Sequence, residues 1–122
     1  MGLDVNTSRL EPGVVVLLLE GSITSGAEVR LDDVFIEDLL QQGERRLILD
    51  LTGIEHMDST GMHLMYTCFS RAQEAGAELR FVSSNARISR IFKITRLDEV
   101  LPFYPTVEAA RRSFTPNPSA TS

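Results

Sequence analysis

Both histidines and the single cysteine of this 122-residue chain fall between His56 and Cys68, around an aspartate and a serine. The stretch His56-Met57-Asp58-Ser59-Thr60-Gly61 sets two hydroxyls behind a carboxylate, between an apolar run and a helical pattern beginning near Ser59. A helix N-terminus presents unpaired N–H groups and the positive end of the macrodipole, so an anion is stabilised there. That environment suits Ser59 to accepting a phosphate rather than to attacking a substrate. Asp58 and Ser59 are also good N-cap residues. A cap needs a single acceptor, however, and this junction offers three polar side chains in succession. The cap and the phosphate acceptor are compatible roles. Gly61 lies just inside the helix, where glycine is unfavourable by roughly 1 kcal/mol relative to alanine. Its missing side chain lets a partner or a kinase approach the backbone.

Catalytic readings of the same residues fail on spacing and context. An apolar run followed by Asp-(Ser/Thr)-Gly marks aspartic proteases, but Thr60 intervenes here and the pattern after Gly61 is helical. A second carboxylate would also be needed to share the proton. His56 and His63 flank Ser59, yet no orienting group or oxyanion donor accompanies them. His56, Asp58, His63 and Cys68 have no recognised ligand spacing, so no metal is expected. Gly21, Gly26 and Gly43 stand alone, and no phosphate-cradling glycine loop is present. No catalytic residue and no cofactor is expected.

The elements that must position Ser59 alternate between strand and helix. Val5–Leu10 and the run Val14–Glu20 read as two strands joined by the Glu11-Pro12-Gly13 turn, hence antiparallel. Ser25 and Glu28 form a capping box for a helix carrying Leu31, Val34, Phe35 and Leu39 and closing at Gly43. Leu47–Leu51 is the next buried strand. Leu64, Met65, Cys68, Phe69 and Ala72 mark one face of the helix that follows, which closes at Gly76. Leu79–Val82 is a third inner strand, and Asn85–Ile94 is a helix with Ile88, Ile91 and Phe92 on its apolar side. Val100–Tyr104 is a last strand, placed at an edge by Pro102. Thr106 caps a final helix from Val107 to about Phe114, and residues 115–122 read as a disordered tail.

Long helical connections between strands imply parallel crossovers. The expected fold is therefore α/β: one domain, a mostly parallel central sheet with one antiparallel edge strand, and four helices. Functional groups in such sheets gather beyond the carboxyl ends of the strands. That rim takes in Ser22, Ile23 and Thr24 after the second strand, the 54–59 loop, and Ser84 and Asn85 after the fourth. Arg87, Arg90, Lys93 and Arg96 form a basic edge on the third helix, read as a solvated face with a docking surface as the alternative.

Composition narrows the function classes. A net charge of −5 gives no electrostatic support for non-specific binding to nucleic acid or anionic membrane. The single cysteine excludes an internal disulfide and fits a reducing cytosol. The first residues lack a signal-peptide pattern, and no apolar run approaches the roughly 20 residues of a membrane span. A cytoplasmic protein, or a soluble piece of something larger, is expected.

Several segments together resemble a STAS domain, more narrowly the bacterial anti-sigma factor antagonists. They are Val14–Gly21, Leu47–Leu51 with Met57-Asp58-Ser59-Thr60-Gly61, Ile91-Phe92-Lys93-Ile94-Thr95-Arg96-Leu97, and Tyr104-Pro105-Thr106-Val107-Glu108-Ala109-Ala110. The likeness spans about residues 5–114, preceded by a flexible N-terminus at 1–4. It implies that Ser59 is phosphorylated by an anti-sigma factor that is itself a serine kinase. The unphosphorylated chain would bind that factor and release a sigma factor, and a serine phosphatase would reset the switch. Stress response or sporulation is the setting this implies. The partner-facing residues would be Asp58, Thr60, Gly61 and Met62 of the motif, with Ser22, Ile23, Thr24, Ser84 and Asn85 around it. Thr24 stands where the family commonly has an aspartate, and Met62-His63 is bulkier than its usual residues. The chain is expected to be a monomer or weak dimer. The alternative is a STAS scaffold or accessory subunit of a stress-signalling assembly or a membrane transporter.

Overall fold

The computed structural model describes residues 3–11, 13–24 and 35–114. Five strands form one sheet in the order β1-β2-β3-β4-β5. β1 (Leu3–Leu10) pairs antiparallel with β2 (Val14–Ile23), and Gly13 turns the chain between them at φ +69°. β3 (Arg46–Met57), β4 (Glu78–Val82) and β5 (Phe103–Tyr104) then add in parallel. Among the described residues the helices are α1 (Glu37–Gln41), α2 (Ser59–Glu74), α3 (Ala86–Ile94) and α4 (Val107–Arg112). The expected mostly parallel sheet with one antiparallel edge is thus the one observed.

The sequence explains why β2 is apolar at consecutive positions. Val15, Leu17 and Leu19 point to one face of the sheet, where they meet Leu40 of α1, Leu64, Met65, Cys68 and Ala72 of α2, and Ile88 and Phe92 of α3. Val14 and Val16 point to the other face and pack with Ile48, Val82, Ala110 of α4 and Phe114. A strand covered on both sides has no solvent face to reserve for polar residues. Each added strand lies on the same side of its predecessor, so α1, α2 and α3 share one face and α4 takes the other.

Several expected boundaries shift. β2 and β3 run on together through Ser22↔His56 and Ile23↔Met57, so most of two expected loops is paired strand. The pairing survives there because register shifts between Leu18/Glu20 and Gly21/Ser22 absorb the mismatch. Gly53 allows the first of these: a Cβ there would lie 2.7 Å from Cγ of Glu20. The last strand is shorter than expected. Leu97–Glu99 is a 3-10 turn, and only Phe103 and Tyr104 join the sheet. The proposed capping box at Ser25 and Glu28, Leu31 and Val34 of the first helix's apolar pattern, and the tail 115–122 lie outside the described residues.

Candidate functional site

Asp58 is the hinge between β3 and α2. Its backbone is extended (φ −105°, ψ −172°), and the Gly61 N–H donates to its Oδ1 at 3.0 Å, making it the N-cap. The Met62 N–H donates to the Asp58 carbonyl at 3.0 Å, the first bond of the helical ladder. The Asp58 N–H in turn donates to the Ile23 carbonyl at 3.3 Å, tying the start of α2 to the end of β2. With Asp58 as the cap, Ser59 occupies the first helical position. It is exposed, and among the described residues its hydroxyl joins no hydrogen bond. Thr60 is exposed as well. The first turn of α2 itself carries no acidic residue, so the Asp58 carboxylate at the cap is the acidic group the chain places at that positive end.

Gly61 serves a different purpose from the one its sequence position suggests. It is buried, and a Cβ there would press on the Ile23 carbonyl oxygen and lie 2.8 Å from Cγ of Met57. Real Cβ atoms essentially never approach so closely, so the glycine is required by packing within this chain. Ile23 is itself fully buried. These two members of the expected partner surface therefore offer no side chain to a partner; they seat α2 on the ends of β2 and β3. Ser22 and Thr24 are half-buried beside them, and Met62 is half-buried on α2.

On the neighbouring part of the rim, Ser84 is exposed and Asn85 caps α3. Asn85 Oδ1 accepts from the Arg87 N–H at 2.9 Å, while its Nδ2 donates to the Ile54 carbonyl at 3.1 Å. One side chain thus fixes the start of α3 against the far end of β3. Nothing in the sequence marked that second bond, because Ile54 lies 31 residues away. Sequence reasoning also missed Tyr66, which is 43% exposed. Its signal was spacing: Ser59, Met62, His63 and Tyr66 follow i, i+3, i+4, i+7 and share one face of α2. Of these, Ser59, His63 and Tyr66 are exposed, while Met62 is half-buried against the core.

The catalytic groupings weighed from the sequence are not assembled among the described residues. Among the described residues no hydrogen bond joins His56 or His63 to Ser59, and no three His, Cys, Asp or Glu side chains cluster to hold a metal. Cys68 faces the core, fully buried. Two surface depressions are lined by Glu37, Leu40 and Arg71 in one case, and by Arg80 and residues 98–104 in the other. Neither includes Asp58, Ser59 or Thr60. The strand order never reverses, so the sheet has no switch-point crevice of the kind that holds small ligands.

Residues 7–110 match the STAS domain family model. The chain belongs to the STAS domain family. A Thermotoga neapolitana relative, provisionally named an anti-sigma factor antagonist, is 27% identical over 74 residues, which are 61% of this chain and 66% of the relative. The match therefore spans just under two thirds of that protein. Among solved structures, an anti-sigma factor antagonist from Mycobacterium paratuberculosis superposes with a TM-score of 0.73 at 19% identity, covering 91% of this chain and 92% of the other. SpoIIAA, described as a Bacillus cell fate determinant, is similar in both of its forms, each fully covered by 91% of this chain. The TM-score is 0.65 at 16% identity for the unphosphorylated form and 0.66 at 17% for the phosphorylated form. At these identities the likeness concerns the fold, a five-stranded SpoIIAA-like α/β domain. No helix among the described residues is long and apolar enough to cross a membrane.

Proposed function

We propose that this STAS domain is an anti-sigma factor antagonist whose binding is switched off by phosphorylation of Ser59. The observation that carries the reading is the division of labour at the start of α2. Asp58 alone makes the cap, which leaves the Ser59 hydroxyl exposed and unengaged at the positive end of the helix. Phosphate adds about −1.5 to −2 charges, which the helix dipole and free N–H groups favour at that position. The same charge, trapped against a partner surface, carries a large desolvation penalty unless it is paired. Phosphorylation therefore weakens docking without disturbing the fold.

The partner on this reading is an anti-sigma factor with serine kinase activity, which docks across Ser59, Thr60, Met62, His63 and Tyr66 and the adjoining Ser22, Thr24 and Ser84. A serine phosphatase resets the switch, and the setting is the bacterial cytoplasm. The chain supplies a substrate hydroxyl and a binding surface, with no catalysis of its own. Incubation with the cognate kinase and ATP should add one phosphate, mapped to Ser59 by mass spectrometry. Full phosphorylation of Ser59→Ala would remove the assignment. Equally tight anti-sigma binding by the phosphorylated and unmodified chains would remove the switch.

A further inference from the structure

α3 concentrates cations on one short helix of an acidic chain. Its nine residues, Ala-Arg-Ile-Ser-Arg-Ile-Phe-Lys-Ile, include three cations and no acid, in a chain of net charge −5. Several arginines elsewhere are ion-paired: Arg9 with Glu44, Arg71 with Glu37, Arg80 with Glu78, and Arg111 and Arg112 with Glu108, while Arg45 donates to backbone carbonyls. Arg87, Arg90 and Lys93 are exposed and, among the described residues, join no ion pair. Arg87 also sits in the first turn, where the helix dipole disfavours a cation. Lys93, in the last turn, is where the dipole favours a cation, so Arg87 is the residue that helix stability leaves unexplained.

Two further features lie on the same side. Ile94 is 69% exposed and falls one helical turn beyond Arg90 and two beyond Arg87, with half-buried Ile91 next to it. Arg96 follows the helix at φ +63°, a left-handed conformation that glycine adopts with far less strain. A cation is kept at a position where the backbone favours another residue. Violations of several local rules on one face are the mark of a functional surface.

We propose that the solvent face of α3 is a docking surface for an acidic protein segment that carries an aliphatic side chain. The arginine forks suit carboxylates, and Ile94 supplies the apolar contact inside a cationic ring. Nucleic acid fits less well: Asp98 and Glu99 are exposed directly after Arg96, the chain as a whole is acidic, and phosphate backbones offer nothing for Ile94. The surface is on a different helix from Ser59 and does not depend on that residue's phosphorylation.

The test uses the full chain and a fluorescein-labelled synthetic helical peptide with glutamates flanking one central leucine. Fluorescence anisotropy is compared for that peptide, its Glu→Gln form, its Leu→Ser form, and a single-stranded DNA oligonucleotide. The parent chain should bind the first peptide saturably and the two altered peptides more weakly. Binding should fall as salt rises from about 50 to about 500 mM, where exposed charges are screened. The variant Arg87→Gln/Arg90→Gln/Lys93→Gln should lose about tenfold or more in affinity, the scale of several modest surface ion pairs together. Ile94→Ser should lose several-fold with an unchanged salt dependence. Should the triple variant melt early, Arg90→Gln and Ile94→Ser alone carry the comparison. No saturable binding, or equal binding by the neutralised variants, overturns the proposal. Tighter binding of the oligonucleotide, lost in the triple variant, replaces the protein partner with a nucleic acid.

Discussion

Gly61→Ala sets two well-characterised effects against each other. Replacing a helix-interior glycine by alanine is favourable by about 1 kcal/mol on propensity alone. At this site the added methyl must occupy space already filled by the Ile23 carbonyl oxygen, Met57 Cγ at 2.8 Å and Ile23 Cγ2 at 3.0 Å. A side chain can rotate away, but a backbone carbonyl in a paired strand cannot. Ile23 is paired with Met57 and also accepts the Asp58 N–H, so its movement would loosen the seat of α2. Overpacking of this kind costs roughly 1–3 kcal/mol, and up to more where backbone must shift. Because the nearest atom is a backbone oxygen, the overpacking cost lies toward the upper end of that range, roughly 2–3 kcal/mol, and the net loss is about 1–2 kcal/mol. For a domain of this size that lowers the thermal midpoint by roughly 3–8 °C. Circular-dichroism melts and urea titrations would measure it, with an unchanged urea slope assigning the effect to the native state. A midpoint that stays level or rises would mean that α2 does not rest on β2 as tightly as described, and the packing role of Gly61 would be withdrawn.

Other substitutions separate the roles of neighbouring residues. Ser59→Ala removes no hydrogen bond and should change stability by no more than about 0.5 kcal/mol, while abolishing phosphate incorporation measured by mass spectrometry. Ser59→Glu places the first acid in the opening turn of α2 and should hold or raise stability by about 0.3–1 kcal/mol, while calorimetry with the anti-sigma partner shows weakened binding. Asp58→Ala should cost about 1 kcal/mol through loss of the bond to the Gly61 N–H, with Asp58→Asn retaining most of it. Asn85→Ala strands the Arg87 N–H and the Ile54 carbonyl and should cost about 1–3 kcal/mol in chemical denaturation. Arg96→Gly relieves the left-handed backbone and should stabilise the fold by about 0.5–1 kcal/mol in the same assay.

The parts of the fold that were readable from sequence are those where one local cause decides the outcome. Val14–Leu19 could be read as a doubly covered strand because its apolar run leaves no polar face, and Asp58 as a cap because its short carboxylate reaches N–H groups three residues on. Ser59 was legible as an exposed hydroxyl for the same reason. What escaped was set by partners distant in sequence. β3 continues to Met57 because β2 is there to pair with it, although Glu55 and His56 make a poor strand on their own. The role of Gly61 depends on Ile23, and half of the bonding of Asn85 on Ile54. Periodicity located α2 but drew attention to its apolar side, so the exposed Tyr66 on the opposite face went unnoticed.

The one thiol of the chain makes α2 observable from within. Cys68 is fully buried on the core side of α2, 9 residues beyond Ser59. A thiol reagent can reach it only when α2 lifts from the sheet or the domain opens, so its labelling rate under native conditions reports the free energy of that opening. No engineered probe is needed, and no second cysteine confuses the signal. Comparing the rate before and after phosphorylation separates a charge that merely sits on the helix end from one that loosens the helix it sits on.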